Sequence, residues 1–92
     1  MNQYGAAAKK HWQKWLPHRF RQLESPDSFF SELGEQIQAR VEELTGALAG
    51  DDPPGESYLA KLGRLNMARQ NAESEALREL ALLDPETSTE AS

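Results

Sequence analysis

Between Ser25 and Gly50 the chain carries one uninterrupted run, SPDSFFSELGEQIQARVEELTGALAG, bracketed by a signal that a helix starts and a signal that it stops. Ser25 stands at the N-cap position. Pro26 falls in the first turn, where its missing N–H has no intrahelical partner to lose, and Asp27 places negative charge at the positive end of the helix dipole. Phe30, Leu33, Ile37, Val41, Leu44 and Leu48 recur at three- and four-residue steps and form one stripe, while Glu32, Glu35, Glu42 and Glu43 fall mostly off it. Gly50 can adopt a positive φ, and the DDPPG after it cannot continue a helix. The pattern predicts a helix over 26–49, on the order of 36 Å long at about 1.5 Å per residue. That is longer than a globule of 92 residues needs on its own.

Downstream of it the chain holds a second long helix of weaker character. The segment GDDPPGES, residues 50–57, reads as a short semi-rigid elbow, and a connection this brief favours antiparallel neighbours. The next helix is predicted from Glu56 to Leu83, stopped by Asp84 and Pro85. Tyr58, Leu59, Leu62 and Leu65 make an apolar patch at its start, and Leu77, Leu80 and Leu83 make another at its end. Between them lie Met67, Ala68, Ala72 and Ala76, which give either a tight alanine-rich contact or a partly open surface. No heptad persists long enough for an extended coiled coil. Gly34 and Gly63 interrupt the two helices, and close approach of another backbone is the preferred explanation for each.

Upstream, Trp12, Leu16, Phe20 and Leu23 keep a helical step across Pro17. Proline inside a helix removes a donor and clashes with the preceding turn, so a helix from about Ala6 to Leu16, a bend, and a short piece through about Leu23 are expected. The fold class is therefore all-α: a long antiparallel helical hairpin with an N-terminal bent helical segment. Residues 1–83 are expected to form a single helical domain. Residues 84–92 are acidic, have little to bury, and are expected to be a disordered tail. A chain of this size buries a modest share of its surface, so completion as a homo-oligomer, a dimer first, is expected.

Charge separates the two parts of the sequence. Residues 1–24 hold Lys9, Lys10, Lys14, Arg19 and Arg21 against Glu24 alone, a net of +4, so with −5 overall the other 68 residues carry −9. The basic part has an acidic partner available within the chain itself or in a twin, which ranks ahead of contact with nucleic acid. The segment KKHWQKWLPHRF is the strongest interaction signal. In the first reading Trp12, Leu16 and Phe20 cover the hairpin and Trp15 stays near the edge. In the second, Trp12 or Trp15 with Arg19 and Arg21 anchors a partner protein, because tryptophan and arginine supply large contacts and directional donors. The face from Leu59 and Leu62 to Arg69 is a further candidate protein-binding surface, although an arginine there more often reaches solvent over a buried stem. No uninterrupted apolar face supports lying on a membrane, and no run is long enough to span one.

Catalytic chemistry finds little to build on. His11 and His18 lack a third compatible ligand, and Glu42 with Glu43, or Asp51 with Asp52, do not form a facing carboxylate pair. The glycines match neither dinucleotide nor phosphate cradles, and there is no HExxH. The long helices and Pro-Pro elbow also differ from a compact helix-turn-helix. The chain has no cysteine, hence no disulfide framework, and no apolar leader, which together fit a cytoplasmic protein. The expectation is a small regulatory or adaptor protein, not an enzyme and without metal or cofactor, that binds another protein through helical faces. A structural homo-oligomer and a nucleic-acid-associated accessory protein are the alternatives.

Overall fold

A computed structural model describes residues 1–84 of the chain. Four helices occur in order: α1 (Gln3–Trp15), α2 (Pro17–Arg21), α3 (Pro26–Ala49) and α4 (Tyr58–Leu80). The acidic tail expected from the sequence lies, apart from Asp84, outside the described residues. Helices α3 and α4 form the antiparallel hairpin, and α1 lies antiparallel to α3 along the half of the hairpin remote from the elbow. The result is a flattened rod with Cα extents of 60 × 27 × 16 Å.

The long helix α3 has the predicted bounds, for partly different reasons. Pro26 opens it, but the Ser25 hydroxyl makes no cap to the backbone; it donates to Ser28 Oγ at 3.2 Å, so Ser25 is a cap by position only. At the other end Gly50 has φ 62° and ψ −158°, a combination essentially reserved for glycine, and its N–H bonds the Gly46 carbonyl at 3.2 Å. Phe30, Ile37 and Val41 are completely buried and Leu33 and Leu44 half-buried, so the stripe is the core face until Leu48, which turns outward. Each fully buried large side chain is worth about 1.5–3 kcal/mol relative to exposure.

The weak centre of α4 proves to be its core face. Ala68, Ala72 and Ala76 are buried at four-residue spacing, which lets the two long helices approach closely and resolves the alternatives in favour of a tight alanine seam. The helix is shorter than the predicted 56–83. It begins after Ser57, whose Oγ accepts from the Ala60 N–H at 3.1 Å, and it ends at Leu80 because the next residues serve tertiary bonds. The Ala81 carbonyl accepts from Trp12 Nε1 at 3.0 Å and the Leu83 carbonyl from His11 Nε2 at 2.9 Å. The apolar patch at the start of α4 is largely outside the core, with Tyr58 75% and Leu59 78% exposed.

Helix α1 starts three residues earlier than predicted. Asn2 accounts for this: its Oδ1 accepts from the Gly5 N–H at 2.9 Å, capping α1, while its Nδ2 donates to the Gly34 carbonyl at 2.9 Å and to Gln38 Oε1 at 3.2 Å. The crossing of α1 on α3 is built from two glycines. A Cβ on Gly34 would fall on Asn2 Oδ1 and within 2.8 Å of the Gly5 nitrogen, and one on Gly5 would strike the Phe30 carbonyl oxygen. Close approach thus explains Gly34. It does not explain Gly63, which is exposed with open space around it. Pro17 begins α2 rather than kinking α1, the Leu16 N–H closes on the Trp12 carbonyl at 2.8 Å, and α2 stops at Arg21, two residues short of Leu23.

Candidate interaction surface

Because α1 meets α3 only as far as Gln38 and reaches α4 at Arg69 and Glu73, the part of the hairpin nearer the elbow is two helices thick. Large apolar side chains are exposed there: Leu48, Tyr58, Leu59, Leu62 and Met67, the last 62% exposed. Leu59 and Leu62, named from the sequence, belong to this group. Their orientation is set by the elbow. Arg64 donates from Nε to Glu56 at 2.9 Å, from Nη2 to Asp52 at 2.7 Å, and from Nη1 to the Ala49 carbonyl at the end of α3, while Lys61 pairs with Asp52 at 2.7 Å. This clasp holds the Lys61 and Arg64 side of α4 against the end of α3, and Tyr58 and Leu59, in the first turn of α4, stay exposed.

The clasp is also the main electrostatic feature of that end. The Lys61 ammonium, ahead of Arg64, holds the Asp52 carboxyl below the usual range, and the Glu56 carboxylate, with Asp52, raises Arg64 above its ordinary value. Further along the hairpin Arg40 makes a two-pronged contact with Glu79, 2.9 and 3.2 Å, and a 2.6 Å bond to Glu43. The Arg40 hydrogen bond lowers the Glu79 pKa. These are surface ion pairs that set the relative placement of helices rather than buried reactive groups.

At the opposite end the aromatic-basic segment divides. Trp12 is 8% exposed, its ring 5.2 Å from Phe29 and 5.5 Å from Phe30, and its indole N–H is used by Ala81. Trp12 therefore stands in the core, the first of its two readings. Trp15 is 43% exposed, with the Lys14 ammonium 4.9 Å from its ring centroid. Arg19 and Arg21 lie on the exposed surface of α2 at the same end. Arg69 sits between the two ends, exposed, with Nη2 3.5 Å from Tyr4 Oη. The exposed sequence-named residues thus fall into two separated groups with Arg69 between them, rather than one site, and Trp12 belongs to neither.

Tyr4 was not among them, and it ties α1 to α4. It is 5% exposed, and its hydroxyl donates to Glu73 Oε2 at 2.8 Å; burial first, and then the bond to Glu73, raises its pKa above the ordinary phenol value. No local pattern in the sequence could have paired residues 69 positions apart. His11 and His18 have different roles, His11 donating to Leu83 and His18 Nε2 accepting from Gln22 Nε2 at 3.3 Å. Among the described residues no group of three or more His, Cys, Asp or Glu is placed to hold a metal ion, and no helix is long and apolar enough to cross a membrane. No family model, curated protein or solved structure matches the chain. What the geometry defines is an all-α protein built on a helical hairpin with one sheltered and one unsheltered half.

Proposed function

We propose that this chain is a non-catalytic regulatory or adaptor protein of the cytoplasm that works by docking another protein on its helical faces, with the elbow half of the hairpin as the principal surface. The observation that carries the reading is the concentration of exposed large apolar side chains, Tyr58, Leu59 and Leu62, where α1 gives no cover. Water-exposed apolar area gathered in one region is what a protein interface uses, and a charged rim supplies orientation. Trp15 with Arg19 and Arg21 provides a second anchor at the other end. Binding is favoured over catalysis because the one titratable side chain among the buried residues described, Tyr4, spends its hydroxyl on the bond to Glu73 that ties α1 to α4, and no carboxylate, histidine, lysine or arginine is buried among the described residues.

The test is affinity capture from the native cell, then direct binding of purified protein to any recovered partner and to duplex nucleic acid. The expected result is a direct protein complex that Leu59→Ser combined with Leu62→Ser weakens at least about tenfold, or about 1.4 kcal/mol, with helix content unchanged. Direct binding to nucleic acid alone, falling steeply as salt rises, would replace this reading with the nucleic-acid alternative. A partner bound equally by wild type and the double variant would remove the elbow face as the docking surface.

A further inference from the structure

The elbow face needs an occupant, and the chain carries one that matches it in both charge and chemistry. Residues 41–60 contain five acids, Glu42, Glu43, Asp51, Asp52 and Glu56, and no lysine or arginine. Lys61 and Arg64 offset part of this charge through Asp52 and Glu56, while Glu42 and Asp51 remain exposed. At the far end of the rod Lys9, Lys10, Lys14, Arg19 and Arg21 outnumber the acids that share it, Glu24, Asp27, which pairs with Lys9, and Asp84, and Trp15 presents the large apolar surface of that end. One end is therefore acidic with exposed leucine and tyrosine. The other is basic with an exposed tryptophan.

We infer that the occupant of the elbow face is a second copy of this chain, arranged antiparallel so that the Trp15 end of each copy lies on the Tyr58–Leu59–Leu62 face of the other. A parallel pair would set like charge on like charge. The antiparallel pair makes both favourable contacts at once and closes on itself about a two-fold axis, so assembly stops at two. Residues 85–92 do not compete for the face, since they add acidic charge and no large apolar side chain. The inference rests on the elbow half being a protein-docking surface and specifies a second copy as what covers it in the isolated protein, so that a different partner competes with the second copy for it. Aromatic and cationic groups meeting aliphatic and acidic ones combine apolar burial with long-range attraction, so association should be sensitive to salt as well as to truncation of either apolar anchor.

Sedimentation velocity on the full chain from about 5 to 500 μM, at about 50 and 500 mM salt, tests this. The expected result is a monomer–dimer equilibrium whose dissociation constant rises at least tenfold with salt. Trp15→Ala and Leu59→Ser should each weaken it by about tenfold or more at unchanged far-UV circular dichroism. Charge reversal gives the geometric test. Lys14→Glu with Arg21→Glu, or Glu42→Lys with Asp51→Lys, should each leave a monomer, whereas all four changes in one chain should restore the dimer. Species larger than a dimer, or a four-fold variant that stays monomeric while folded, overturn the antiparallel arrangement. A wild-type chain monomeric throughout overturns the second-copy occupant while leaving the docking surface itself to be decided by the heterologous binding experiment.

Discussion

Gly34 and Gly63 are indistinguishable by sequence reasoning, each an internal helix glycine, yet the structure gives them opposite expected responses to alanine. At Gly34 the added methyl meets backbone atoms of Gly5, which cannot rotate away, so Gly34→Ala should destabilise by about 1–3 kcal/mol in spite of alanine's better helix propensity. At Gly63 nothing lies within 4 Å, and Gly63→Ala should stabilise by roughly 0.5–1 kcal/mol. Urea unfolding of the two variants checks both signs; equal shifts would remove the close-crossing account. The tryptophans separate in the same way. Trp12→Ala should lose about 3–5 kcal/mol through its ring contacts and the bond to Ala81, whereas Trp15→Ala should stay within about 0.5 kcal/mol in the monomer. The helical spacing of Trp12 to Leu16 and Phe20 ranked its core reading first, while its place among lysines and arginines kept it a candidate partner anchor. The sequence was silent on Asn2, Tyr4 and Gly5, whose partners Gly34 and Glu73 are remote along the chain and whose own stretch is too short for a period to show.

At the level of elements, α3 was legible to the residue because proline and glycine punctuate it and its stripe is regular. The α4 face was harder to read. Leucine and tyrosine are the stronger hydrophobic signals, but helix separation is decided by what fits in the seam, and alanines at 68, 72 and 76 allow the closer contact. The ends of α4 obeyed tertiary demands that no local signal carries. Ion pairs then hold the elements in register, and these give the pH dependence. The Asp27, Asp52 and Glu79 carboxyls all lie below their ordinary values, held mainly by Lys9, Lys61 and Arg40. A depressed folded pKa contributes stability that is full above the unfolded value, about 4, and is lost as pH falls through the folded value. Thermal midpoints should therefore decline below about pH 4, less so in high salt because these groups are exposed. In Arg40→Gln protein the part of that decline due to Glu79 should be missing; an unchanged acid limb would show that this pair does not couple α3 to α4. Tyr4 has the opposite sign: its raised pKa favours the folded state below about pH 10 and that contribution disappears as pH rises through the folded value.

For the whole molecule, the decisive feature is the unequal cover of the hairpin. Antiparallel pairing was implied by the short elbow, but how far α1 would extend along the pair depended on the Asn2 contacts to Gly34 and Gln38, which no pattern in the first residues announces. The basic beginning was visible in the sequence; that it gathers at the end of the rod away from the elbow, beside Asp27 and Asp84, required the fold. The same layout has a consequence for how the chain comes into being. Helix α1 is made first, yet the groups that receive it, Glu73 for Tyr4, Ala81 for Trp12 and Leu83 for His11, are made about 70 residues later. Throughout that interval of synthesis the indole of Trp12 has no acceptor from α4 and the apolar side of α1 has no finished groove to enter. The nascent chain thus displays, for a time, the Tyr4, Ala8 and Trp12 side of α1 that the completed protein conceals, and anything in the cell with affinity for an apolar helix face meets this protein before it has folded.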